Sequence, residues 1–460
     1  MKKLNLLEGH VHIIGIGGMH MSAIAQLLKK QDVHVTGSDI EATELTEQLR
    51  SQGITIFPAH AASNVSGADL VITTAAVSDD HIEIKAAKNQ GTPIMSRSTA
   101  IAELMSGKKI IAVAGSHGKT STSTLLATIL EQDNFQPMYV LGGESLDLKS
   151  NASWGAGKHC VVEADEYKQA FLSYKPDIEI ITNIDADHLD DYGSKENYYD
   201  AFIKFTKNLK STGMLLLCGN DKGTQQLSDE LARTTMKYES YGFEKHNTWT
   251  ATDISLTTSG GSFLLQGPKD FETGTLEISV PGKHAVLNTM AAAAISLHEG
   301  VRFTSLQQTV KTFSGVKRRF ELIGESRGIH VIDDYAHHPT EVQATLTAIK
   351  NRYANHHLIV IYQPHTYSRT AYLWESWLNC WSGLDKLVIL ETYAARELPH
   401  QGKTAEELAK SIFSVSAIYA PNEEAAIENA IQNVTDNTII LTLGAGNITN
   451  IAPRILEAIT

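Results

Sequence analysis

The sequence predicts an α/β protein built from three successive units, and three observations carry that reading. The chain has 460 residues, enough for three domains at roughly 100–200 residues each. Short β-branched runs alternate with helix-compatible stretches through most of its length, the pattern of parallel sheets flanked by helices. Two glycine-rich turns each follow an apolar strand and open a helix.

The first unit begins with a strand at 11–14, the turn Gly15-Ile16-Gly17-Gly18-Met19-His20, a helix at 21–30 and a strand at 33–36, which together make a βαβ unit. Apolar strands at 54–57, 70–73 and 93–95 extend the sheet, and Ser106-Gly107-Lys108 marks a boundary, giving a unit over 1–107. A strand at 109–114, a loop at 115–119 and a helix at 120–131 open the second unit, with further strands at 159–163 and 178–182. Between about 249 and 280 the pattern turns to Thr-, Ser- and Gly-punctuated short strands, an antiparallel hairpin layer, before an Ala-rich helix at 285–296. The basic run Lys317-Arg318-Arg319 leads from this unit, 108–316, into a third, 317–460, with strands at 329–333, 357–362, 386–390 and 438–443.

Composition narrows the function. Hydrophobic residues make up 42% and charged residues 20% of an ordinary globular mixture, which excludes disorder and fibrous repeats. A net charge of -13, with no longer basic tract than residues 317–319, argues against nucleic acid or an acidic membrane as partner. Cys160, Cys218 and Cys380 are scattered and form no metal or disulfide pattern, as expected of thiols in a reducing compartment. Polar residues break every apolar run well short of a signal-peptide core or the ~20 residues that span a bilayer. A cytoplasmic protein without membrane insertion is expected.

The sharpest motif is Gly115-Ser116-His117-Gly118-Lys119-Thr120-Ser121 between a strand and a helix. Glycines let backbone N–H groups turn towards phosphate, the helix start adds partial positive charge, Lys119 adds a full one, and Thr120 offers a hydroxyl to Mg²⁺. Val113 stands where the longer P-loop spacing has glycine, yet ATP is the expected ligand. At the other turn, Gly15, Gly17 and Gly18 allow close approach of a diphosphate, and Ser38-Asp39 sits where an acidic residue commonly meets a ribose. Carboxylates and imidazole gather after two strands, in Glu163-Ala164-Asp165-Glu166 and Asp185-Ala186-Asp187-His188. Mg²⁺ favours a few carboxylates plus phosphate oxygens, so Glu163 is a candidate ligand and His188 a second. The His337-His338 pair suggests zinc, but no third ligand stands at a zinc-like spacing. Arg369 suits a carboxylate.

Taken in order, GIGGMHMS, GSHGKTSTS, VVEADEY, TNIDADHLDDYG, PGKHAVLN, FSGVKRRFE, DDYAHHPTE, QPHTYSRT, ETYAAREL and LGAGNI resemble the Mur ligase family over nearly the whole chain. The resemblance implies a Rossmann-like first domain holding a UDP-sugar, a central P-loop ATPase-type domain, and a Rossmann-like third domain receiving an amino acid. QPHTYSRT and DDYAHHPTE look like the branch that adds L-alanine to UDP-N-acetylmuramate rather than the one that recycles a murein tripeptide. By similarity, Gly15, Gly17 and Gly18 approach the diphosphate, Lys119 with its loop binds ATP, Thr120 and Glu163 hold one Mg²⁺, and His188 holds a second. His284 and Asn288 match positions that handle ATP and its adenine, Arg319 the arginine reaching the phosphate, and Asp334 a nucleotide-contacting aspartate. Tyr335, His337 and Arg369 match positions tied to substrate and alanine. The implied reaction is amide ligation through an acyl phosphate, by a monomer or homodimer, with the third domain closing over the second to exclude water. Three residues depart from the pattern: His20 replaces a glycine, Ala285 an asparagine and Lys168 an aspartate.

Overall fold

The computed structural model describes residues 6–74, 77–187, 189–257, 259–395, 397–432 and 434–460, without the side chains of Asp190 and Gln401. His188 therefore lies outside the described residues. Three sheets follow one another along the chain. The first has five parallel strands in the order Thr55–Phe57, His34–Ser38, His10–Ile14, Leu70–Thr73, Ile94–Ser96. The third has six, Glu321–Ser326, Ile329–Asp334, Thr438–Leu443, His357–Tyr362, Lys386–Leu390 and Ala417–Ala420, of which only the first runs antiparallel.

The middle sheet is larger than the alternation suggests. Its strands Met214–Cys218, Ile178–Ile181, Lys109–Ala114, His159–Glu163 and Met138–Val140 form a parallel core. The hairpin layer Trp249–Thr257, Gly260–Gln266 and Thr275–Ile278 is not separate. It joins the same ten-stranded sheet through Tyr238–Gly242, whose Tyr241 pairs in parallel with Trp249. Short edge strands such as Ala152–Ser153 and Ala417–Ala420 escape the sequence reading because they are too short to show a period.

Helices start and stop where local chemistry dictates. Pro339–Arg352 carries proline in its first turn and a capping box in which His338 and Glu341 satisfy each other's backbone donors. Lys283–His298 is apolar nearly all round, with Met290 through Ile295 fully buried, as a helix enclosed by sheet and neighbouring helix must be. Among the described residues no helix is long and apolar enough to cross a membrane.

Strand register brings the motifs together. Val113 is paired with Glu163 and Ala114 with Ile181, so the phosphate-type loop and both acidic clusters leave the carboxyl edge of adjacent strands side by side. In the third sheet Leu443 is level with both Asp334 and Tyr362, which aligns DDYAHH, QPHTYSR and GAGN. The units also touch: Arg97 pairs with Asp165 at 2.7 Å between first and second, and Arg369 with Asp187 at 3.2 Å between second and third.

Candidate active site

Lys119 opens the helix Lys119–Gln132 behind Gly118, whose φ of 81° lies in the left-handed region that glycine adopts without strain. Its Nζ donates to the carbonyls of Gly115 at 2.6 Å and Ser116 at 3.1 Å and pairs with Glu166 at 2.8 Å. Burial opposes its charge, but Glu166, Glu163 and Asp165 outweigh that and raise its pKa, so the ammonium persists. The loop is braced from the neighbouring strand end: His117 N–H donates to Asn183 Oδ1 at 2.8 Å, and Thr182 Oγ1 donates to the His117 carbonyl at 2.6 Å. Ser116 is tied to Tyr198 and to the Asp185 amide. The first-turn amides, Thr120 and Ser121 included, have no partner within their helix, as at any helix start.

Glu163 ends its strand buried, with Oε2 accepting from Gly142 N–H at 2.9 Å. Burial pushes its pKa up, while Lys119 and a hydrogen bond with the Thr120 hydroxyl pull it down. Thr120 and Glu163 thus present two adjacent hard oxygens beside the loop, a donor set that fits Mg²⁺.

One cavity of about 590 Å³ lies between the second and third units. The loop side contributes His117, Gly118 and Ser121, the long helix His284 and Asn288, and the third unit Arg319 and Asp334. Seven of the sequence-derived ATP residues therefore line one cavity from its two sides. Asp221 and Tyr241 also line it and lay in no motif, while Asn183, Phe320, Thr340 and Glu341 lay within motifs without being singled out from them. Arg319 sits between Arg318 and Phe320, both at positive φ (61° and 54°), a strained junction. Asp334 stabilises it by accepting from Phe320 N–H and Ala336 N–H, each at 2.8 Å, and burial pushes its pKa up to about 6.

A second cluster lies at the carboxyl edge of the third sheet. The Tyr335 ring packs beneath both Arg318 and Arg319 and 5.3 Å from His337. His337 Nδ1 lies 3.0 Å from the Tyr335 carbonyl, which requires the proton there and leaves the lone pair on Nε2. Burial drives the His337 pKa down to about 3, so the imidazole is neutral at working pH. His365, present in the QPHTYSRT motif but not singled out from it, lies 6.0 Å from His337, stacks on Tyr393 and meets Arg369 at 3.4 Å. Arg369 also borders a small cavity of about 120 Å³ with Asp187 and Leu373.

In the first unit, Gly15 and Ile16 donate their N–H groups to the Ser38 carbonyl, and Gly17 donates to Asp39 Oδ2 at 2.8 Å. Asp39 thus ties the turn to the next strand end, its Oδ1 engaged by Glu41 N–H. Beneath it Ser38 Oγ donates to the buried Glu83 at 2.7 Å, and His60 Nδ1 lies 3.0 Å from the same hydroxyl, a network that sequence spacing did not reveal. Gly18 starts the following helix, and His20 turns towards Arg97 at 3.2 Å, at the junction with the second unit. Ala285 packs in the core, and Lys168 takes a left-handed turn with φ 49°. His338, without His337, meets two further potential metal donors, His117 and Asp185, but from another unit.

Models of the Mur ligase family catalytic domain, middle domain and glutamate ligase domain match residues 10–109, 113–296 and 318–446 respectively. The chain belongs to the Mur ligase family. Among its relatives, the UDP-N-acetylmuramate–L-alanine ligase of Geobacter sp. (strain M21) is 39% identical over 97% of this Mur ligase and 96% of its own length. That of Carboxydothermus hydrogenoformans is 38% identical over 97% of this chain and 96% of its own length. Of solved structures, the UDP-N-acetylmuramate–alanine ligase of Thermotoga maritima superposes with a TM-score of 0.83 at 31% identity, covering 98% of this chain and 99% of that one. A murein peptide ligase of Psychrobacter arcticus superposes at 0.79 with 25% identity, covering 98% and 99%.

Proposed function

We propose that this Mur ligase joins L-alanine to UDP-N-acetylmuramate at the expense of ATP, in the cytoplasmic assembly of a peptidoglycan precursor. The observation that carries it is a cavity walled by the Lys119 loop on one side and by Arg319 and Asp334 on the other. The relatives named for that reaction, matched over 97% of the chain, support it. In this reading residues 1–107 hold the UDP-sugar, 108–316 ATP, and 317–460 the amino acid.

A carboxylate is a poor electrophile, and phosphorylation converts it to an acyl phosphate that an amine can attack. Lys119 and the helix-start amides stabilise charge on the phosphates as the γ-phosphoryl group moves to the muramoyl carboxylate. Arg319 reaches the same cavity from the third unit. Thr120 and Glu163 would hold one Mg²⁺ and His188, by similarity, a second, and the ions would neutralise phosphate charge. Arg369 clamps the amino-acid carboxylate. His337, neutral with its Nε2 lone pair free of the Tyr335 bond, or a nearby carboxylate takes the proton from the attacking amine. Contact between the second and third units keeps water from the reactive acyl group.

Purified protein supplied with UDP-N-acetylmuramate, MgATP and single amino acids should release phosphate with L-alanine, and should prefer L-alanine to a murein tripeptide in competition. Preference for the tripeptide would place it in the recycling branch. Phosphate release with neither would overturn the ligase reading.

A further inference from the structure

His117 does more in this geometry than belong to a phosphate loop. Its backbone is pinned on both sides by Asn183 and Thr182, so its side chain has a set direction. Both ring nitrogens face carboxylates: Nε2 lies 3.2 Å from Asp185 Oδ2 within the second unit, and Nδ1 lies 3.2 Å from Glu341 Oε1 in the third. A second strut runs alongside, Thr340 Oγ1 donating to the same Asp185 oxygen at 3.0 Å. His117, Asp185, Thr340 and Glu341 thus close a ring across the domain boundary. Burial opposes a charge on His117, but the two carboxylates outweigh it and raise its pKa to about 10.

Glu341 is the hub on the far side. Its Oε2 accepts the N–H groups of His337 at 3.1 Å and His338 at 3.3 Å, fixing the start of Pro339–Arg352, and Oε1 lies 3.8 Å from Arg319. The two third-unit groups assigned to chemistry, His337 and Arg319, are therefore anchored to the carboxylate that His117 grips. The loop that cradles ATP and the residues that act on the amine and phosphate share one hydrogen-bonded frame.

We propose that His117 is a positioning residue: through Glu341 it clasps the third domain to the ATP loop and sets the places of His337 and Arg319 relative to the γ-phosphate. The inference rests on the ATP-dependent ligase reading and extends it, because the clasp links loop conformation to domain closure. Interdomain placement of this kind governs rate steeply, since a displacement of about 1 Å can lower turnover ~10²-fold.

The test uses full-length His117→Ala, Glu341→Gln and the double variant. Glutamine at 341 keeps the capping hydrogen bonds and removes the charge. Each single variant is expected to lose about tenfold or more in kcat, the double variant to be no slower than the worse single one, and the Kd of Glu341→Gln for a non-hydrolysable ATP analogue to stay within about twofold. Unchanged kcat, additive losses, or weakened analogue binding with kcat retained would each overturn the clasp. Small-angle X-ray scattering with Mg²⁺ and the analogue reads closure without any turnover. The parent protein should be compact and His117→Ala expanded; equal compaction of the two would refute the proposal. A compact parent that fails to ligate L-alanine would instead count against the functional reading alone.

Discussion

Gly142 lies directly over the Glu163 carboxylate: its N–H donates to Oε2 at 2.9 Å, and a Cβ at 142 would overlap both carboxylate oxygens. The restriction is steric, a close approach of backbone to a buried acid, with no unusual dihedral involved. Gly142→Ala should therefore push Glu163 out of place beside Thr120. Its expected signature is a rise of at least tenfold in the Mg²⁺ concentration for half-maximal activity, with UDP-sugar binding unchanged. Normal Mg²⁺ dependence would show that Glu163 is not the ligand.

Lys119 is a buried ammonium held by Glu166 and two carbonyls. Lys119→Ala removes the ammonium of the loop and should lower ligation by at least ~10²-fold, the scale of losing a group that stabilises transition-state charge. UDP-sugar binding, monitored by calorimetry, should persist, because the Gly15–Gly18 turn belongs to a different sheet. Near-normal turnover would contradict the site.

Two buried groups of the third unit differ in where they titrate. Burial holds His337 down at about 3 and pushes Asp334 up to about 6. His337 is thus fully in its base form from pH 5 upward, whereas the Asp334 carboxylate that braces Phe320 and Ala336 becomes protonated as pH falls through 6. A kcat/KM profile for ATP should show an acid limb near pH 6 that vanishes in Asp334→Asn and survives in a slowed His337→Ala. A limb lost with His337 would reverse the assignment.

Glu179 stands in the centre of the middle sheet, paired in register with Ala112 and Leu215, fully buried and with neither carboxylate oxygen hydrogen-bonded. Burial raises its pKa well above the ordinary 4.5, so the folded protein keeps this group protonated where the unfolded chain releases the proton. Its stability penalty is accordingly least below about pH 4.5 and grows as pH rises towards the folded-state pKa. Glu179→Leu should stabilise the protein by about 1–3 kcal/mol, the scale of removing a buried unsatisfied polar group. The gain should widen between pH 5 and 8 in denaturant titrations. A gain that shrank with rising pH would refute the protonated state.

Much of the architecture was legible because it is local. The strands Lys109–Ala114, His159–Glu163, His357–Tyr362, Lys386–Leu390 and Thr438–Leu443 are β-branched runs between turn signals, and they lie where the pattern puts them. The glycine-rich loops are equally local, since a strand, a tight turn and a helix start are written in consecutive residues. By contrast, His365 carried no distinguishing signal within its motif and is picked out only by its proximity to His337 and Arg369. The joining of the hairpin layer to the middle sheet was not legible, because nothing in the chain announces the parallel pairing of Tyr241 with Trp249.

By itself, the order of residues determined three α/β units, a phosphate-type loop at 115–121 and the family pattern that joins them, because each depends on periodicity or spacing within a few dozen residues. Only the tertiary structure decided which of those groups meet. His117 and Glu341 are 224 positions apart and Lys119 and Glu166 are 47 apart, and no local rule links such pairs. Flush strand ends within a sheet and the packing of one domain on the next bring them within hydrogen-bonding distance, where burial then sets which of them carry charge.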